Sequence, residues 1–195
     1  MKEALKNYKN VIENKVKLQH MSYDGSADEG KTYPPFLLNE LFKNIEDIDH
    51  EYANPYFFRF TVLDMDGDGI PEVVLEIDAL VNSHDEVLHF YEGMVYGYYF
   101  GLWDLEFLKV DGTYSASSSA SIFSILKTSF SGSELIEETL ACSKYIDDNY
   151  DEIGYYISDE PAPYQEFWNF VDKQNEKTEA TWYDFNEENI KKYLQ

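Results

Sequence analysis

The densest run of potential ligand atoms in the chain is Asp64-Met65-Asp66-Gly67-Asp68-Gly69-Ile70-Pro71-Glu72. Aspartates at alternate positions, here one, three and five of the run, can turn their carboxylates towards one centre. Gly69 at position six permits the sharp bend, Ile70 at seven can offer its backbone carbonyl, and Glu72 at nine closes the ring. Calcium takes roughly six to eight oxygens at flexible geometry, so this set, completed by water, suits it. Packed carboxylates repel by roughly 1 kcal/mol or more per pair, and a divalent cation removes that conflict. Magnesium, which prefers a rigid octahedron with retained water, is the weaker competitor. Metals that prefer nitrogen are disfavoured, because His20, His50, His84 and His89 show no spacing that sets two of them beside this turn. A solvated acidic turn would need one or two of these features, whereas here they occur together.

The EF-hand pattern requires a bidentate glutamate at position twelve of the loop. That position is Leu75, inside the β-branched run Val73-Val74-Leu75-Glu76-Ile77, so the loop is not an EF-hand. With strands on both sides, it resembles the calcium loops of FG-GAP and VCBS-type β repeats. The resemblance implies a calcium ion held by Asp64, Asp66, Asp68, Ile70 and Glu72, the last acid coming from position nine. A metal placed between two strands chiefly holds the hairpin in register.

Other chemistry is weaker. Ser124-Ile125-Leu126-Lys127 matches the Ser-x-x-Lys pattern of penicillin-recognising enzymes, but it lies in a strand-like run, where positions three apart point to opposite faces. Neither a Gly-x-Ser-x-Gly elbow nor a His-Glu-x-x-His helix is present. Carboxylate pairs such as Glu137-Glu138 and Asp147-Asp148 are what chance supplies in a chain with 38 acids. Trp103, Trp168 and Trp182 could form a sugar-stacking platform, although cross-strand packing accounts for most aromatic residues in such a sequence.

The elements that would position the loop follow from periodicity. Leu5, Tyr8, Ile12 and Val16 fall at helical spacing between Lys2 and His20, and Leu37, Leu41, Ile45 and Ile48 do so after Pro34-Pro35. From Tyr56 the period becomes two, with Phe58, Phe60 and Val62 alternating with Phe57, Arg59 and Thr61 up to the acidic loop. Glu86 to Tyr91 and Met94 to Phe100 make a hairpin, Phe107 to Val110 turns at Asp111-Gly112 into Thr113-Tyr114, and Ser115 to Leu126 reads as a strand with small side chains. After the turn Ser131-Gly132-Ser133, Glu134 to Lys144 returns as a further strand. Helices follow around Tyr164 to Val171 and from Asn186 to Leu194. The expected fold is α+β, an antiparallel meander of about seven strands with N-terminal and C-terminal helices packed on it. The whole chain, 1–195, reads as a single domain, mainly helical over 1–50, antiparallel β over 56–145 and helical over 160–195.

Composition limits the partners. With 38 acidic against 15 basic residues the formal net charge is -23, which argues against nucleic acid and anionic substrates and favours cations. Hydrophobic residues at 44% are too many for a disordered polyanion, so the chain should fold. The single cysteine, Cys142, excludes an intramolecular disulfide and a thiolate metal cluster. No apolar run is long enough for a transmembrane segment, and Met1-Lys2-Glu3-Ala4-Leu5 lacks the apolar stretch of a secretory signal. The chain is thus either cytosolic or a mature exported domain.

The arrangement of the loop Asp64 to Glu72, the tyrosine-rich hairpin Val87 to Tyr98, and Tyr155-Tyr156-Ile157 and Trp182-Tyr183-Asp184-Phe185 in the tail is similar to uncharacterised secreted or lipid-anchored proteins of Gram-positive gut bacteria. That likeness implies an extracellular or cell-surface location and brings no substrate with it. The expected function is an extracellular calcium-binding domain in which the ion stabilises a β-loop-β element, with a surface binding or structural role towards a protein or glycan. The alternative is a polysaccharide or cell-wall hydrolase using acidic residues, which would show a deep cleft with two carboxylates, one of them desolvated.

Overall fold

Helix α1 (Lys2–Ile12) buries Ala4, Tyr8, Val11 and Ile12 on one face, as its helical spacing requires. The helix expected to run on to His20 stops at Ile12. Asn14 takes a φ of +55°, and the amides of Asn14 and Lys15 return to the carbonyls of Val11 and Asn10 at 2.9 and 2.8 Å, a Schellman closure. Val16 is left exposed, and Gln19–Met21 forms strand β1. The computed structural model describes residues 1–22, 31, 33–44, 55–79, 82–119, 122–147, 149 and 152–195. Of the helix expected after Pro34-Pro35, a 3-10 turn (Leu38–Glu40) running into α2 (Leu41–Asn44) is described, while Ile45 and Ile48 fall outside those residues.

The first sheet is built on the meander β2 (Tyr56–Leu63), β3 (Glu72–Ala79), β4 (Asn82–Tyr91) and β5 (Met94–Phe100). β1 joins its β5 edge in parallel, and a two-residue strand late in the chain, Tyr183–Asp184, joins its β2 edge. The second sheet is antiparallel throughout: β6 (Thr113–Ser119), β7 (Ile122–Ser131), β8 (Glu134–Tyr145), β9 (Ile153–Ile157) and β10 (Glu160–Pro161), with Tyr183–Asp184 numbered β11. Helices α3 (Tyr164–Asn175) and α4 (Glu187–Tyr193) complete the chain.

The class is α+β as expected, but the described residues hold eleven strands in two sheets, not about seven in one meander. Strands of two or three residues, such as β1, β10 and β11, are too short to carry an alternation pattern. The split between sheets comes where a strand was expected at Phe107 to Val110. Trp103 and Phe107 have φ values of +66° and +53°, outside the β region, and the segment makes only isolated bridges, Glu106 to Ser115 and Lys109 to Glu179.

Three apolar clusters order the layers. α1, α4 and the side chains of Leu18, Phe36, Leu38 and Leu41 cover one face of the first sheet through Val73, Leu75, Ile77 and Leu88. Val74, Val87 and Tyr98 on its other face meet Leu105, Leu108, Tyr114 and Leu135, joining the two sheets. Phe167 and Val171 of α3 cover Ile125 and Ala141 of the second sheet.

A register shift between Phe57 and Arg59 marks a β-bulge against β3. Strict alternation would have put Phe58, Phe60 and Val62 on one face. The bulge instead turns Phe57 and Phe60 together into the helix-covered core, leaves Phe58 exposed, and delivers Arg59 opposite Glu76 on the other face.

Candidate metal centre

The acidic loop leaves the end of β2 and returns at Glu72, the first residue of β3. Gly67 and Gly69 adopt φ values of +86° and +88° with nothing within 4 Å of where a Cβ would stand, so conformation rather than space calls for glycine. Asp64 accepts hydrogen bonds from the amides of Gly67 and Gly69 at 2.7 and 2.9 Å. Asp66 accepts from Asp68 at 3.0 Å, and Asp68 from Ile70 at 2.6 Å. The carboxylates thereby fold the loop around themselves, as aspartates do in turns.

Of the expected ligands, the structure brings Asp64, Asp66 and Glu72 together, with one oxygen of each lying within 4.8 Å of the others. Asp68 is exposed and stands outside that group, and Ile70 is half-buried against the helix-side core. At that separation ionised carboxylates near a protein surface repel by on the order of 3 kcal/mol per pair. Each carboxylate oxygen has two lone pairs, so accepting one N–H still leaves a direction open to a cation. An all-oxygen set with one buried member fits a hard divalent ion.

Glu72 is the buried member, with no exposed surface. Its Oε2 accepts the Met65 amide at 2.9 Å, and its Oε1 lies 3.1 Å from His89 Nδ1. Burial pushes the Glu72 carboxyl above its ordinary value. His89 and the Met65 amide pull it back, and the charge of Asp66 adds to the rise. His89 Nε2 is 3.0 Å from the Gly132 carbonyl, which can only accept, so that nitrogen carries a hydrogen.

The loop is also where the two sheets touch. The Phe130 amide of β7 donates to Asp66 Oδ2 at 3.2 Å, the Phe130 ring stacks on His89 with centroids 4.0 Å apart, and Tyr98 donates to the Ser133 carbonyl at 2.7 Å. Gly112, at φ +78°, lies so close to the Met65 backbone that a Cβ would collide with it. Sequence reasoning missed His89 here. The signal was the β3–β4 register, since Val73 pairs with Leu88 and one pair further sets His89 beside Glu72.

Elsewhere, Ser124 and Lys127 lie on β7 opposite Cys142 and Glu138, without the helical turn that a Ser-Lys pair needs. Glu137 is engaged by the Tyr114 hydroxyl, and Asp147 accepts amides within its own turn, while Asp148 falls outside the described residues. Trp168 packs on α3 against Phe167 and Phe123, whereas Trp103 and Trp182 line a cleft of about 520 Å³ with Glu76 and Asp85. Among the described residues no helix is long and apolar enough to cross a membrane. No protein-family model, curated protein or solved structure matches this chain.

Proposed function

We propose that the chain is an extracellular calcium-binding domain in which the ion stabilises the β2–loop–β3 element and serves a surface binding or structural role. Asp64, Asp66 and Glu72 would hold calcium, with Asp68 and the Ile70 carbonyl completing the protein ligands and the loop remaining of the FG-GAP or VCBS kind. The observation that carries this reading is the approach of three carboxylate oxygens from loop positions one, three and nine to within 4.8 Å. An ion there would also brace the second sheet, because Asp66 already accepts the Phe130 amide. A site this open to solvent is filled reliably at the calcium levels found outside cells, which favours an exported protein.

Thermal unfolding with added calcium tests this. At about 100 times the dissociation constant, a ligand adds roughly 2.7 kcal/mol, which in a chain of this length raises the Tm by roughly 5–10 °C. Asp66→Ala is expected to abolish the shift. A wild-type Tm that does not move in millimolar calcium contradicts the proposal.

The hydrolase reading has one observation in its favour, a buried Asp85 beside Glu76 in a cleft. It ranks second because Glu76 is held by Arg59 at 2.6 and 2.7 Å and is committed to that ion pair.

A further inference from the structure

The first sheet carries a second polar row beyond the loop. Arg59, Glu76 and Asp85 stand opposite one another on β2, β3 and β4. Four residues of strand, about 13 Å, separate Glu76 from Glu72. The row floors the cleft of about 520 Å³, a volume typical of sites for small organic groups. Trp182, just before β11, and Trp103 and Phe107, from the connection between β5 and β6, line the same cleft.

Asp85 is the anomaly in this row. Its neighbours are matched: the Arg59 guanidinium bonds Glu76 and lies 4.7 Å over the Trp182 ring. Asp85 is only 7% exposed, opens onto the cleft, and has no hydrogen bond or ion pair among the described residues. Burial raises its carboxyl well above the ordinary value, Glu76 raises it further, and Arg59 opposes both. A carboxyl buried without a partner weakens a fold.

The cleft wall adds a second, independent cost. Trp103 and Phe107 hold left-handed backbone, unfavourable by roughly 1–2 kcal/mol for bulky side chains, and their rings remain 49% and 62% exposed. Neither ring serves a core. The β2 bulge spends regular strand geometry to aim Arg59 at the same spot.

The chemistry selects among ligands. A metal ion would need more donors, and the group of three among the described residues is Asp64, Asp66 and Glu72, away from the cleft. An anion meets four lining carboxylates, those of Glu76, Asp85, Glu106 and Glu179, against the single guanidinium of Arg59. A neutral saccharide could stack on the rings but would bring Asp85 no counter-charge. An alkylammonium does both, since its N–H groups make charge-assisted bonds to a carboxylate and its charge and methylenes suit aromatic faces.

We propose that this cleft binds a primary alkylammonium group, with Asp85 accepting its N–H donors and the rings of Trp103, Phe107 and Trp182 enclosing its methylenes. The group is a lysine side chain of a partner or a free amine. The inference rests on the binding role proposed above and is independent of calcium.

The test uses the full chain in millimolar calcium, titrated with n-butylammonium chloride and followed by tryptophan fluorescence and calorimetry. Saturable binding is expected, with none for n-butanol, which has the same tail and no charge. Asp85→Asn should weaken it at least about tenfold, and Trp103→Ala roughly threefold to tenfold. Both variants should keep the wild-type far-ultraviolet dichroism and the calcium-dependent Tm shift. Tighter binding of an acetylated, amidated Gly-Lys-Gly peptide assigns the group to a protein partner, and tighter binding of spermidine assigns it to a free amine. Three results overturn the proposal: no saturation by n-butylammonium at about 100 mM, equal binding by Asp85→Asn, or Asp85-dependent binding or cleavage of a neutral oligosaccharide. Loss of ammonium binding with the calcium shift intact removes the cleft assignment alone, and the converse removes the calcium assignment alone.

Discussion

Glu72 and Asp85 are both buried carboxyls on the same face of the first sheet, and they differ in what stands beside them. Glu72 has the Met65 amide and the His89 ring, whereas Asp85 has only the repulsion of Glu76 and the distant help of Arg59. Because the folded state holds the Asp85 proton more tightly than the unfolded chain does, Asp85 lowers stability as pH rises above the unfolded carboxyl value, and fully so above the folded one. Asp85→Asn is therefore expected to melt higher than wild type at pH 7. The gap should close as pH falls towards the ordinary carboxylate range, where a neutral Asp85 resembles asparagine. Melting curves across pH check this, and equal Tm values at pH 7 would contradict it. The loop acids were legible from spacing alone, because alternate aspartates with a glycine at position six need no tertiary information to be singled out. His89 and Asp85 were not, since each acquires its neighbour only through the β3–β4 register.

At the scale of elements, several local signals held, but the single strand expected over Ser115 to Leu126 is divided between the antiparallel partners β6 and β7. The strand beginning at Tyr56, the Glu92-Gly93 and Ser131-Gly132-Ser133 turns, and the helix around Phe167 are present in the structure as β2, the β4–β5 and β7–β8 hairpins, and α3. The misreadings have specific causes. Asn14 ends α1 by a hydrogen-bond pattern that apolar periodicity does not record, and the bulge at Phe57–Arg59 exchanges which aromatic faces the core. The connection through Gly112 shows how much one turn can matter. Gly112→Ala must strain a left-handed backbone and also push the Met65 backbone, which carries the amide bound to Glu72. Gly93 is a control, with φ +84° and open space around it. Urea denaturation should show Gly93→Ala costing roughly 1 kcal/mol and Gly112→Ala at least twice that, together with weaker calcium binding. Equal costs would mean that the approach to Met65 is not tight in solution.

For the molecule as a whole, the two sheets meet at the loop, so an ion bound there should be felt on both. Asp66 accepts the Phe130 amide from β7, and His89 bonds the Gly132 carbonyl in the next turn. Amide hydrogen exchange is expected to slow on calcium addition at Phe130 and Gly132 as well as within residues 64–72. Slowing confined to the loop would mean that the sheets are held together without it. The net charge of -23 adds a general attraction for cations, which salt screens, while the directed ligands of the loop should persist in its presence. The two-sheet arrangement itself was not legible, because the division depends on a left-handed connection that resembles a strand in composition. Calorimetric titration of calcium into the chelator-treated chain at physiological ionic strength tests the central claim most directly. One ion per chain, with the binding heat lost in Asp66→Ala and much weaker with magnesium, is the expected result; no saturable heat up to several millimolar calcium would contradict it.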